Sequence, residues 1–115
     1  MRTNRQANHS QIELPTFDRE VFAQHTIQDV DLQRQVLAMF FAQLAGVRAR
    51  IEQGPIPGGE GKIMAHTLRG AATAVGAERI AAIAKFWEDN PAWSPQLRLE
   101  ISRAVEEFMA VASQT

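Results

Sequence analysis

Residues 31–53 read DLQRQVLAMFFAQLAGVRARIEQ. Within them Leu32, Val36, Phe40, Leu44, Val47 and Ile51 recur at steps of three and four. Sustained for about five turns, that is the rhythm at which side chains stack on one face of an α-helix. Asp31 places a carboxylate at the amide-rich start. The run stops at Gly54, and Gly54-Pro55-Ile56-Pro57-Gly58-Gly59 is expected to form a loop that cannot continue a helix. A helix with so long an apolar stripe must bury it against other elements.

Every flank reads as helix. Upstream, Thr16 is positioned to cap a short helix running to about Gln28, with Phe17, Val21 and Phe22 on one side. Downstream, a helix is expected from about Glu60 to Val75, ended by Gly76, the residue most tolerant of a left-handed cap. The next runs from Ala77 to about Asp89 with Ile80, Ile83, Ala84 and Trp87 in register, and Asn90-Pro91 stops it. Ser94-Pro95 supplies a hydroxyl cap followed by proline at the first helical position. The last helix then carries Leu97, Ile101, Ala104, Val105, Phe108 and Ala112 on one stripe. No stretch alternates as a strand would. The expected fold is all-α: an antiparallel four-helix bundle, residues 15–115, with an additional short N-terminal helix and a polar leader over residues 1–14.

Composition narrows the functions available. The chain has 115 residues, 45% hydrophobic and 22% charged, the balance of one soluble globular domain. Twelve basic and thirteen acidic side chains give a formal charge of −1, which offers no global attraction to nucleic acid or an anionic membrane surface. With no cysteine, disulfides, thiolate metal sites and thiol catalysis are excluded. Residues 1–11 lack the apolar core of a secretory signal, and the greasiest run, Val36 to Val47, falls short of the roughly 20 residues a membrane-spanning helix needs. A cytoplasmic protein is expected, in which the sequon Asn8-His9-Ser10 has no role.

The third long stretch, Glu60 to Val75, carries the one unusual pattern. Met64, Leu68, Ala71, Ala72 and Val75 form its expected apolar stripe. Lys62, His66, Arg69, Gly70 and Thr73 repeat the same rhythm two residues earlier, about 200° around the helix, so this set is expected to face away from the core. Exposed histidines on helices are usually only solvated. Gly70 argues for more, because glycine within an exposed helical face costs about 1 kcal/mol relative to alanine and clears space one turn from the imidazole. Lys62 and Arg69 would attract a phosphoryl group, Arg69 through forked donors and Lys62 as a point charge. An exposed, cation-flanked imidazole with open space beside it suits covalent phosphoryl transfer.

The segment Ala65-His66-Thr67-Leu68-Arg69-Gly70-Ala71-Ala72-Thr73-Ala74-Val75-Gly76-Ala77 resembles the signature of histidine phosphotransfer (HPt) domains, His-x-Leu-Lys/Arg-Gly-small-small followed by an apolar residue, Gly and often Ala. The Asp29–Asp31 start, Phe40-Phe41 and Phe86-Trp87-Glu88 also fit, so the resemblance spans about residues 17–112. It departs from the pattern only in Arg69 for the commoner Lys and in Ala71-Ala72 where Ser is frequent. The resemblance implies a phosphorelay intermediate of two-component signal transduction, a phosphoprotein whose His66 takes a phosphoryl group from a receiver-domain aspartate and passes it to another receiver. It implies Arg69 as the basic position and Gly70, with Thr73, as the access surface for the partner. Lys62 lies outside the motif. No cofactor is expected on the chain itself, Mg²⁺ being brought by the receiver, and no nucleotide loop for autokinase activity is present. Expected partners are receiver domains of response regulators or hybrid histidine kinases, with no nucleic acid or membrane and a monomeric carrier. The rival expectation is a non-catalytic helical module that sequesters a response regulator.

Other candidates are weaker. His9, His25 and His66 share no ligand spacing, so no metal site is expected. The pairs Glu88-Asp89 and Glu106-Glu107 read as solvated helix faces, and Trp87 and Trp93 as core. Phe41 and Met39 fall off the main stripe, available to the first helix or to a docking patch.

Overall fold

The computed structural model describes residues 14–114, and these form five α-helices and no strand. They are α1 (Arg19–His25), α2 (Val30–Glu52), α3 (Gly58–Val75), α4 (Glu78–Asp89) and α5 (Pro95–Ala112). The last four make the bundle: each packs on its neighbour in sequence, and α5 returns to α2. Helix α1 lies across α3 at one end. None of these helices is long and apolar enough to cross a membrane. The expected leader falls on residues 1–13, outside the described residues, apart from Leu14. Its carbonyl accepts a 3.0 Å hydrogen bond from Arg79 Nη2 and so ties it to α4.

The core follows the apolar stripes. Phe40, Leu44, Val47 and Ile51 of α2 and Leu97, Ile101, Ala104, Val105, Phe108 and Ala112 of α5 are buried. Phe108 is the hub of an aromatic cluster, with ring centroids 5.2 Å from Phe17, 5.1 Å from Phe40 and 6.1 Å from Phe41. Phe41 therefore meets α5, while Met39 is 72% exposed. Trp87 is fully buried and stacks at a tilt on Trp93, 6.0 Å away.

Several element ends differ from the sequence reading. Helix α1 is capped by Asp18, not Thr16, because the carboxylate reaches the amides of Glu20 and Val21. It ends at His25 instead of Gln28: Thr26 folds its hydroxyl back onto the Phe22 carbonyl, and Ile27 and Gln28 take positive φ of 53° and 56°. Asp29, rather than Asp31, caps α2 through the amide of Leu32. Helix α3 starts at Gly58, so the loop is shorter than expected. Pro57 presents its carbonyl to the Gly61 amide at 2.8 Å, and a proline just outside the first turn withholds no donor the helix needs. Gly76, at φ 80°, ends α3 as expected, and Ser94 caps α5 with Pro95 at its start.

The buried face of α3 is rotated from the expected stripe. Gly61, Ala65, Leu68, Ala72 and Val75 are buried, while Met64 and Ala71 are only partly so. Small residues lie innermost because α4 approaches closely. A Cβ at Gly61 would stand 2.9 Å from the Trp87 indole nitrogen.

Candidate functional site

Helices α3 and α4 form a tight hairpin about Gly76 and Ala77. In such a hairpin, residues equally far from the turn face one another across the helix pair. His66 lies eleven before Ala77 and Glu88 eleven after it. The two side chains meet: His66 Nδ1 is 2.8 Å from Glu88 Oε2. The Glu88 side chain is only 17% exposed, whereas that of His66 is 67% exposed. The imidazole thus stands in solvent with one nitrogen held from below.

Glu88 has a second cation. Arg69 Nε lies 2.9 Å from Glu88 Oε1, an ion-pair contact without hydrogen-bond alignment. Arg69 sits one turn after His66, so a single half-buried carboxylate spans both side chains. A carboxylate facing Nδ1 selects the ring form with its proton there, because only that form donates to it. The lone pair of a neutral ring is then on Nε2, which has no partner among the described residues.

The five residues expected to share this face fall as follows. Lys62, His66, Gly70 and Thr73 are exposed, and Arg69 is half-buried against Glu88. A Cβ at Gly70 would meet nothing within 4 Å, so no internal packing requires glycine there. Ile63, one turn before His66, is 71% exposed. On the other side of α3, the pairing of Arg50 on α2 with Glu60 sets the neighbouring edge of α2, which also carries Met39.

Two acidic readings are corrected. Glu88 is no solvated face residue but the partner of His66. Its signal was available in the equal spacing of His66 and Glu88 about the Gly76 turn, which single-helix periodicity does not examine. Glu107 is likewise engaged, accepting from Arg79 Nη1 at 2.8 Å, while Glu106 is exposed and lies 3.7 Å from Arg48. His25 is spent on structure, its Nδ1 2.7 Å from the Ala74 carbonyl. His9 lies outside the described residues. Among those described, no three His, Asp or Glu side chains converge as metal ligands.

No family model, no curated protein and no solved structure matches this chain.

Proposed function

We propose that this chain is a cytoplasmic histidine phosphotransfer protein, a phosphoryl carrier that accepts on His66 from one receiver domain and donates to another. The observation that carries the reading is the exposed imidazole of His66 with Nδ1 on the shielded carboxylate of Glu88 and Nε2 left open. Nε2 attacks the phosphorus of a receiver's aspartyl phosphate. The N–P bond forms as the acyl-phosphate P–O bond breaks, and the aspartate carboxylate leaves on the receiver. The Nδ1 proton stays in place, so the phosphorylated ring is cationic and Glu88 faces the charge as it develops. Transfer onward reverses these bond changes on a second receiver. The receiver's own Mg²⁺ supplies charge neutralisation at the phosphoryl oxygens.

Arg69 and Lys62 add positive charge for the incoming phosphoryl group. Gly70 and Thr73 leave room for the partner, and the exposed apolar side chains of Ile63 and Met39 give a docking partner something to cover.

The test is phosphate transfer from a panel of phosphorylated receiver domains, read by intact mass at neutral pH. The parent gains one acid-labile phosphate and His66→Gln gains none. Glu88→Gln, which still accepts from Nδ1, keeps part of the rate. Glu88→Ala, which loses both the hydrogen bond and the charge, falls by about 10²-fold, the scale of losing one positioned electrostatic partner. Equal phosphorylation of the parent and His66→Gln would overturn the assignment. Tight receiver binding by both without any phosphate would make the chain a sequestering module.

A further inference from the structure

Helix α4 has two working edges. Glu88 points to His66, and Phe86, two residues earlier and so about 200° around the helix, points away into a groove between α4 and α5. The groove encloses about 830 Å³. Its floor includes Ile83, Leu97 and Ala104, and Phe86 is 55% exposed at its edge. Leu99, 50% exposed, stands on the outer shoulder of α5 beside Arg103, four residues on.

The charges along this groove are incompletely matched among the described residues. Arg79 is paired with Glu107. Among the described residues Glu100 accepts only from the neutral amide of Gln96, at 2.8 Å. Arg103 is exposed and has no partner among the described residues. Glu100 and Arg103 are three residues apart on one helix, a spacing that permits an internal pair, and none is formed.

We propose that, in place of the monomer expected from the sequence, a second copy of this chain covers the groove, with the two α5 helices antiparallel about a two-fold axis between residues 101 and 102. A two-fold interface is self-complementary: if one residue meets another, the reverse contact follows. In this register Glu100 of each copy meets Arg103 of the other, so one pattern of opposite charges is satisfied twice. Phe86, the large apolar side chain exposed at the edge of the groove, becomes covered with it. Both His66 edges stay on the outside, so the pair offers two acceptor sites at once.

Sedimentation velocity of the full chain across about 1 µM to 1 mM tests this. The expected result is a concentration-dependent shift to twice the chain mass. Glu100→Arg and Arg103→Glu each place like charges across the axis and weaken association by about tenfold or more. The double variant, Glu100→Arg with Arg103→Glu, restores opposite charges and regains the parent's association. Circular dichroism confirms that each variant is folded. A parent that stays monomeric throughout, or a double variant no tighter than either single one, overturns the proposal. Because these positions lie away from His66, phosphate acceptance by the singly substituted, monomeric chains keeps this result separate from that of the transfer assay.

Discussion

At the scale of single residues, three glycines of similar appearance in the sequence answer to different physics. Gly76 is at φ 80°, and a Cβ there would stand 2.5 Å from the Asp18 carbonyl oxygen, so both the backbone and the α1 contact require it. Gly61 is helical but lies under the Trp87 indole. Gly70 is helical with open space around it. Gly70→Ala is therefore expected to stabilise the fold by up to about 1 kcal/mol through helix propensity alone. If receivers dock as proposed, the same methyl group is expected to obstruct their approach to His66 and to slow transfer by about tenfold or more. Gly61→Ala is expected to destabilise by about 1–3 kcal/mol, since the buried indole opposite it has little room to move. Urea denaturation of the two variants checks the opposite signs. A Gly70→Ala protein that is more stable and transfers as fast as the parent would show that the gap serves no partner.

At the scale of elements, the ends of the helices carry the information that apolar periodicity lacks. The α2 stripe, the Gly76 stop and the Ser94-Pro95 start were legible because each is a local pattern that satisfies its own backbone groups. The start of α1 was not, since Thr16 and Asp18 both suit an N-cap and only the carboxylate's reach to two amides separates them. Between α2 and α3 the loop is clamped by Arg50, whose Nε and Nη2 bind the two oxygens of Glu60 at 2.6 and 3.0 Å. That hydrogen bonding, with the attraction of the opposite charge, holds the Glu60 carboxyl below its ordinary range against a smaller opposing effect of burial. The resulting stabilisation is present above the unfolded carboxyl value, about 4.3, and is lost as pH falls through the lower folded one. Glu78 shows the opposite sign. Burial first, then the Asp18 charge and the hydrogen bond with Asp18, raise its pKa. Its linkage therefore favours the fold at low pH and is lost as pH rises through the folded value. Glu78→Gln is expected to raise the denaturation midpoint at pH 7, with the gain gone near pH 3. Glu60→Gln lowers the midpoint at pH 7 and flattens its acid limb. Midpoints measured from pH 3 to 7 distinguish the two.

At the scale of the whole molecule, the helical architecture was readable and half of the site was not. His66, Arg69 and Gly70 share one helix, and the rhythm of that helix separates them from the core. Glu88 comes from the next helix, and its role depends on how two helices face each other across a turn. The small residues Gly61 and Ala65 were missed as core for a related reason: they are buried by the closeness of α4 and not by their own apolar area. The site is thus a property of the α3–α4 hairpin, while the largest aromatic cluster joins α2, α5 and the α1 segment around Phe108. The ring partners of Phe108 are Phe17, Phe40 and Phe41, none of them on α3 or α4, so global stability and site geometry are expected to be separable. Phe108→Leu is expected to cost roughly 1–3 kcal/mol, a large share of the 5–15 kcal/mol typical of a domain. Distant sites of this kind contribute nearly independently. Phosphate acceptance per folded molecule should consequently stay within about twofold of the parent at temperatures well below the lowered Tm. Thermal melts paired with transfer assays at several temperatures check this. A loss of transfer in the fully folded variant would mean that the aromatic cluster helps set the His66–Glu88 geometry.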